Sequence, residues 1–365
     1  MQFFTVETGA LSNERGFDGL GELYFTAFWY CVHALCLRYH MKGLHVEKKK
    51  FLFGPVPSRR FGRSLGVDLT PYKTCSFDCV FCQLGRTTNK TIIREEYVPI
   101  KAVISEIDEW LKTDGEADYI TLSGSGEPTL HSRFGEVLNF IRSNSKIPAV
   151  LLTNGTLLHL KEVQDAASIA NVVKISLSAW DQTSYQSINR PHTQLKFPQL
   201  VEGQKEFQRK FRGNLLLEVF LVWGMNSIPS DVRRIAALTD EIRPDRIHLN
   251  TAVRPTAEEF AYALSAERMS SLCHLFQPKA EIIAEFNAQK EFSMKKNKKA
   301  VLSMLERRPC TMDQIALAFN MHMNEVAKYI GDLMRSGQIR EERKDSTFYY
   351  TATGINYHRM GYGNL

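Results

Sequence analysis

Three cysteines at positions 75, 79 and 82 constrain this chain more than anything else in it. The stretch Thr74-Cys75-Ser76-Phe77-Asp78-Cys79-Val80-Phe81-Cys82-Gln83 spaces them as C-x-x-x-C-x-x-C inside one short loop. A closed structural zinc site takes four ligands, and an electron-transfer iron–sulfur cluster takes four thiolates. Three is one short of either. Three thiolates on a cubane cluster leave one iron open to bind and activate a second molecule, so the spacing points to chemistry. Two plainer readings stay open on spacing alone: a zinc site completed by a distant histidine, and a set of unrelated thiols.

Cysteine usage elsewhere narrows the context. The chain has seven cysteines, an odd number, and three of them crowd into the loop. That is no disulfide framework; it fits a reducing compartment and a metal site. No second cysteine cluster is present, so one iron–sulfur cluster is expected and no auxiliary one. At 365 residues, 44% hydrophobic and 24% charged, the chain has room for two or three ordinary globular domains. The net charge of +6 is unevenly spread: residues 295–365 carry 12 Lys/Arg against 7 Asp/Glu, a net of +5. Any nucleic-acid contact is therefore sought first in the C-terminal piece.

Residues 1–50 are an N-terminal extension of doubtful status. The apolar run Leu23 to Leu37 is shorter than the ~20 residues a membrane helix needs, and no clear signal-peptide pattern surrounds it. The expectation is that Met41 is the natural start, with a short packed helix as the alternative.

From Phe51 the pattern becomes that of an α/β core. Gly54, Pro55 and Pro57 mark an irregular entry, and Leu65, Val67 and Leu69 alternate as a first strand should. Arg59, Arg60 and Arg63 lie close to the cysteine loop in sequence, either as ligands for an anionic substrate or as solvated and salt-bridged arginines. Ile100 to Leu111 and Phe134 to Ile141 have helical spacing. Strands are expected at Tyr119–Leu122, Val150–Thr153, Val172–Ser178, Leu215–Val222 and Arg246–Thr251, with helical stretches between them. Six strands joined by crossovers make a parallel sheet with helices outside. In such folds polar residues at strand C-termini carry the function. Ser123-Gly124-Ser125-Gly126-Glu127, Asn154 and Ser176 or Ser178 fall at those ends, and the strands Leu215–Val222 and Arg246–Thr251 carry Glu218 and Asn250. For each alone, a buried structural hydrogen bond is an equal reading, since polar groups inside such folds must be paired.

The cysteine loop resembles that of the radical S-adenosylmethionine (SAM) superfamily, including the aromatic Phe81 just before the last cysteine. The resemblance implies that Cys75, Cys79 and Cys82 hold a [4Fe–4S] cluster, whose open iron chelates the amino and carboxylate groups of SAM. It implies reductive cleavage of SAM to methionine and a 5′-deoxyadenosyl radical, which takes hydrogen from a substrate. A flavodoxin or ferredoxin would supply the electron. It also implies closure of the sheet into a partial (β/α)6 barrel. Gly-Ser-Gly-Glu at 124–127 is similar to the superfamily's Gly-Gly-Glu motif, shifted by a residue. It would contact the SAM amino group, with Asn154 and Ser176 or Ser178 toward the carboxylate or ribose, and Glu218 and Asn250 toward the ribose or adenine.

A narrower resemblance, to a branch related to the tRNA wyosine-forming enzymes, rests on five stretches. They are Gly54–Leu69, Lys73–Thr88, Ser123–Leu130, Ser187–His192 (SINRPH) and Leu249–Pro255 (LNTAVRP), spread over Phe51 to Glu258. Arg190, His192 and Arg254 in these motifs become substrate candidates, His192 as a proton donor or equally as a structural residue after Pro191.

Past a linker at 279–297 the pattern changes. A helix at Ala300–Arg307, a capping box at Thr311 and Gln314, a helix at Asn324–Arg335 and a hairpin at Gln338–Arg343 and Thr347–Tyr350 are the layout of a winged helix-turn-helix. The expected domains are thus a core at 51–278, the winged helix at 298–351 and a tail at 352–365. The exposed face of Asn324–Arg335 offers Lys328 and Arg335 against Glu325 and Asp332, too balanced for a strong phosphate binder. The winged helix is therefore open to three uses: RNA docking, peptide docking, or a lid or dimer element. The sequence reads as a cytoplasmic radical SAM enzyme with no stable membrane association. A base of tRNA is the favoured substrate; maturation of a peptide or protein is the alternative, and a cluster-based redox regulator a lesser one.

Overall fold

The computed structural model describes residues 51–58, 60–113, 115–283, 298–319, 321–344 and 347–353. The expected start at Met41, most of the linker and the end of the tail lie outside the described residues, as does Arg59. All the described elements belong to the unit Lys50–Leu365.

The core is one eight-stranded sheet in the order β1-β2-β5-β6-β7-β8-β9-β10. β1 (Leu52–Ser58) pairs antiparallel with β2 (Gly62–Val67). The rest run parallel: β5 (Tyr119–Leu122), β6 (Ala149–Leu152), β7 (Val172–Ser176), β8 (Asn214–Leu221), β9 (Arg246–Thr251) and β10 (Glu281–Ile282). Between them come α1 (Ile100–Thr113), α2 (Phe134–Asn144), α3 (Lys161–Ala167), α4 (Gln182–Ile188), α5 (Phe197–Lys210), α6 (Pro229–Ile242) and α7 (Ala266–Cys273). A two-residue pairing of β3 (Thr74–Cys75) with β4 (Asn89–Lys90) holds the two ends of the cysteine loop together.

Two features depart from the sequence reading. The prolines of the expected irregular entry lie within β1, which is an edge strand with a register shift between Phe53 and Val56. An edge strand can take proline because one row of its N–H groups has no ladder partner to lose. Glu281 and Ile282, placed in the linker by sequence, pair parallel with His248 and Leu249 as the last strand. Two residues are too few to show alternation.

One face of the sheet packs on the helices through Val67, Ile120, Leu151, Val173, Leu217 and Leu249, all buried in a single large core. The opposite face carries Phe61, Val150, Val172 and Leu216 as a separate apolar layer. Above that layer is a cavity of about 380 Å³ lined by residues of β1, β2, β5, β6, β8 and β9. At roughly 4.8 Å per strand a flat sheet would put β2 and β9 some ~24 Å apart. Residues from both line one cavity, and Arg60 in the β1–β2 turn reaches Glu218 on β8. The sheet therefore curls around the cavity.

After the core come α8 (Lys298–Arg307), α9 (Met312–Ala318), α10 (Met323–Arg335) and the antiparallel hairpin β11 (Ile339–Lys344) and β12 (Thr347–Ala352). The reciprocal bonds Gln314 N–H to Thr311 Oγ1 and Thr311 N–H to Gln314 Oε1, both 3.2 Å, open α9. This C-terminal module has its own small core around Val301, Met304, Phe319, Val326, Ile330 and Leu333, and Val56 of β1 packs against it. Its hairpin reaches the end of β9: the Tyr349 hydroxyl donates to the Val253 carbonyl at 2.6 Å, and Lys344 Nζ to those of Ala252 (2.6 Å) and Arg254 (3.1 Å).

Gly126 shows how closely the core approaches the cysteine loop. A β-carbon there would lie 1.9 Å from the Thr74 carbonyl oxygen and 2.7 Å from Thr70 Oγ1. Backbone cannot yield as a flexible side chain would, so Gly126→Ala is expected to cost about 3 kcal/mol, the upper end for overpacking. Thermal unfolding measures it; an unchanged melting temperature would show that the two segments separate easily.

Candidate active site

The cysteine loop has little regular structure, so other segments must satisfy its backbone. Asp78 N–H donates to the Asn189 carbonyl at 3.0 Å, Val80 N–H to that of Ile188 at 3.0 Å, and His192 N–H to that of Ser76 at 2.9 Å. The Ser187–His192 stretch thus braces the loop from behind. The Asp78 carboxylate accepts from Thr87 N–H at 2.7 Å and Arg86 Nε at 2.9 Å, folding the loop's exit back on itself.

Each cysteine sulfur meets an N–H donor. Lys73 Nζ lies 3.0 Å from Cys82 Sγ, and Asn189 Nδ2 lies 3.4 Å from Cys79 Sγ. Cys75 Sγ faces Phe77 N–H at 3.5 Å and Asn154 Nδ2 at 3.7 Å. Burial pushes the Cys75 thiol up to about 12, with Glu127 adding to it, and pushes Cys79 up as well. Bare thiolates at this depth are costly; a bound metal removes that cost. Burial also opposes the Lys73 ammonium, but Cys82 and its neighbouring sulfurs outweigh it and hold the amine above its ordinary value.

The cavity begins at this loop. Phe81 and Cys82 line it, as do Ser123, Gly124, Glu218, Phe220 and Asn250. Phe81 stacks on Phe220 with ring centroids 4.1 Å apart and 9° between planes. Gly124 has φ of 144° and a β-carbon there would meet the Asp68 carboxylate at 2.4 Å, so only glycine fits against Asp68 at this wall.

The other residues singled out by sequence fall elsewhere. Ser125 is buried and its hydroxyl donates to Asp68 at 2.5 Å. Glu127 is turned inward: Oε1 accepts from the Thr129 and Thr153 hydroxyls, each at 2.6 Å, and Oε2 from Asn154 N–H at 2.7 Å. Asn154 is held in turn against Ser76 Oγ at 2.8 Å. Ser178 Oγ accepts from Phe220 N–H at 3.0 Å, and Ser176 Oγ from Lys174 Nζ at 3.2 Å. Of the three substrate candidates, Arg254 lines the cavity, with Nη1 3.3 Å from Gln83 Oε1. Arg190 pairs with Glu258, which also takes Arg86 at 2.6 Å, and the structure does not bring Arg190 or His192 to the cavity wall.

Sequence reasoning passed over Lys73, Asn189 and Asp68. Lys73 and Asn189 lie inside motif stretches, but nothing in their residue type announces a partner for sulfur. Asp68 follows β2 directly and shares its end with Gly124. Met304 and Arg308, which also line the cavity, come from the C-terminal module. No local signal in the sequence joins them to the core.

A charged layer lies beneath. Glu218 accepts from Arg60, from Lys174 Nζ at 2.9 Å and from Asn250 Nδ2 at 3.0 Å. Burial pushes its carboxyl up, but the Arg60 and Lys174 charges and the two hydrogen bonds win, and it lies far below the usual carboxylate range. His248, next along β9, is pushed down to about 4 by burial and by the Arg60 charge, so it is neutral at pH 7.

Residues 69–210 match the model of the Radical SAM superfamily. A UPF0026 protein of Helicobacter pylori is 30% identical over 316 residues, covering 84% of this chain and 99% of that protein. The chain belongs to the UPF0026 family. A member from Methanocaldococcus jannaschii is 28% identical over 82% of this chain and 94% of its own. A Brachyspira hyodysenteriae protein named GTPase Obg is 35% identical over 307 residues; the chain spans only 45% of that longer protein. Among solved structures, a radical SAM methyltransferase from Sphaerobacter thermophilus aligns with a TM-score of 0.46 at 15% identity, over 60% of this chain and 65% of that one.

The cofactors of the superfamily are a [4Fe–4S] cluster and SAM, and the residues present fit them. Among the described residues no three Cys, His, Asp or Glu side chains gather as a single-ion site would need. A cubane spreads its thiolates over separate irons, and three cysteines in one loop, each with an N–H donor, suit that arrangement. The cavity beside Cys82 offers an aromatic face, a glycine at its wall and polar groups for a nucleoside.

Glu218→Gln would leave Arg60 and Lys174 buried without their counter-charge, at an expected cost of about 3 kcal/mol at pH 7. Because the Glu218 carboxyl is depressed on folding, its stabilisation is complete above the ordinary carboxylate range and is lost as pH falls below it. Urea unfolding should show wild type and variant converging in acid; a gap of equal size at pH 7 and pH 3 would place the cost elsewhere. His248 also loses stability as pH falls from its ordinary 6.5 toward about 4, and more so in the variant, which lacks the Glu218 charge that partly supports the protonated imidazole.

Proposed function

We propose that this protein is a radical SAM enzyme built on a partial (β/α)6 barrel with a C-terminal winged helix. The observation that carries the reading is the cysteine triad itself. Three sulfurs sit together in one loop, each met by an N–H group, and the last of the three cysteines, Cys82, lines a cavity together with Phe81, Ser123 and Gly124. Cys75, Cys79 and Cys82 would hold the cluster, and Phe81, Ser123, Gly124 and Asn250 would hold SAM. When bound, these cofactors supply one-electron cleavage of SAM to methionine and a 5′-deoxyadenosyl radical that takes hydrogen from a substrate, the electron coming from a flavodoxin- or ferredoxin-type donor.

The chain's own residues position and enclose. Lys73, Asn189 and Asn154 direct N–H groups at the three sulfurs and offset their negative charge. Ser125, Glu127 and Ser178 fix the walls without reaching into the cavity, and Glu127 sets Asn154 through its backbone. Phe81 against Phe220 keeps water from the wall nearest Cys82.

For the substrate this reading favours a base of tRNA. It is supported by the sequence resemblance to the wyosine-forming enzymes and by the arginines of the cavity. The winged helix acts here as a closing element. Its wing spends Lys344 on the end of β9, Arg340 pairs with Glu342 at 2.6 Å, and Arg335 pairs with Asp332 at 2.5 Å. Free cysteines throughout the described residues fit the cytoplasm as the site of action, and no described helix is long and apolar enough to cross a membrane.

Reconstituted and reduced without oxygen, the protein should form 5′-deoxyadenosine from SAM. Cys75→Ala, Cys79→Ala or Cys82→Ala should each abolish it, and a variant that still cleaves SAM would refute the ligand assignment. Bulk tRNA should raise the rate well above background. Equal rates with and without tRNA would move the substrate to a peptide or small molecule.

A further inference from the structure

Three thiolates in one loop repel one another and any further negative charge, and the donors that meet them are not equal. Cys75 Sγ faces a backbone N–H at 3.5 Å and the neutral Asn154 amide at 3.7 Å, and Cys79 Sγ faces the neutral Asn189 amide at 3.4 Å. Cys82 Sγ has the Lys73 ammonium at 3.0 Å, the shortest of these contacts and the one whose donor carries charge. A charge-assisted hydrogen bond is roughly twice as strong as a neutral one. Cys82 is also the cysteine that lines the cavity.

Lys73 is built into this place. It is 3% exposed, whereas lysine ordinarily extends its ammonium to water. Among the described residues the ammonium makes no ion pair with a carboxylate, and its hydrogen bond goes to Cys82. The carboxylates of the loop and its neighbour are occupied elsewhere: Asp78 by Arg86 and Thr87, Glu127 by Thr129, Thr153 and Asn154. The Lys73 backbone is left-handed, with φ of 57°, a region that L side chains seldom enter. The chain holds it there from both sides. Lys73 N–H donates to the Ser125 carbonyl at 2.7 Å, and the Lys73 carbonyl accepts from Asn89 N–H at 3.1 Å. Glycine would take this backbone without strain, but it would remove the ammonium. Lys73 does not line the cavity, so its charge addresses the sulfur and not a molecule bound there.

We propose that Lys73 sets the reduction potential of the cluster held by Cys75, Cys79 and Cys82, its ammonium raising that potential through Cys82. The inference rests on the radical SAM reading and deepens it by naming the residue that governs how readily the site takes its electron. The potential of an iron–sulfur cluster follows its net charge, the hydrogen bonds to its sulfurs and its exposure to water. A fixed positive charge beside one sulfur, shielded from water, favours the more negative, reduced state. The electron comes from the flavodoxin- or ferredoxin-type donor; Lys73 supplies no electron and gives up no proton. It is a positioning residue that acts through Cys82.

The full-length protein is reconstituted without oxygen, and its midpoint potential is measured without SAM by redox titration followed by electron paramagnetic resonance. Lys73→Met removes charge and donor at similar length. Its midpoint should fall by about 59 mV or more, a tenfold change in a one-electron equilibrium, with iron content unchanged. Lys73→Gln, which lacks the charge but keeps an N–H donor, should also fall. Lys73→Arg keeps the charge and should recover most of the wild-type midpoint. SAM affinity, by equilibrium dialysis, should stay within about twofold in Lys73→Met. An uncharged variant with full iron and the wild-type midpoint would overturn the proposal. Loss of iron from both uncharged variants would do the same, by making Lys73 a structural support of the loop. A tenfold loss of SAM affinity at an unchanged midpoint would make it a SAM ligand and overturn the proposal too. A Lys73-dependent midpoint in a protein that forms no 5′-deoxyadenosine would count against the radical SAM reading and leave this inference standing. SAM cleavage with a midpoint indifferent to Lys73 would do the reverse.

Discussion

The structure depends on keeping three thiols together in a loop that cannot support itself. Bonds from neighbouring segments and from within the loop do this work. Asn189 and Ile188 accept the loop's N–H groups, Thr74 accepts that of Glu127, and Asp78 gathers Arg86 and Thr87. Glu127 then ties Thr153 and Asn154 into the same assembly. The glycine-rich turn serves this purpose at Gly126, where only a missing side chain lets β5's end lie against Thr74. The core helices matter to the site mainly because they hold these neighbours in register.

A second constraint acts inside the sheet. Its inner face begins with an apolar layer and then turns polar, with Lys174, Glu218, Arg60 and His248 close together. Buried charge is tolerable only when paired. Here two cations share one carboxylate, which gives the cavity floor a positive balance while leaving Glu218 ionised. Burial keeps His248 neutral, and Arg60 adds to it by opposing a further positive charge beside it.

Much of the core could be read from the sequence because parallel buried strands announce themselves. Tyr119–Leu122 and Arg246–Thr251 have the expected bounds, β6, β7 and β8 differ from expectation by a residue or two, and β2 begins three residues before Leu65. β1 was hidden by Pro55 and Pro57, whose effect depends on lying at an edge, and β10 by its length. The site was legible to the extent that its residues carry their chemistry in their type. Cysteines do; Lys73 and Asn189 do not, because their role comes from where the chain returns. Ser178 and Glu127 show the reverse case, polar residues at strand ends whose bonds are spent within the framework. Arg308 lay furthest from inference, since its place depends on a contact between segments some 250 residues apart, β1 and α8.

The shared wall between the curled sheet and the C-terminal module carries a thermodynamic consequence. A molecule that touches both sides binds only the docked arrangement. Filling the cavity and seating the module are then one coupled equilibrium, and each favours the other by the same factor. Tyr349 and Lys344, though they face backbone carbonyls and no substrate, thereby enter the affinity of whatever occupies the cavity.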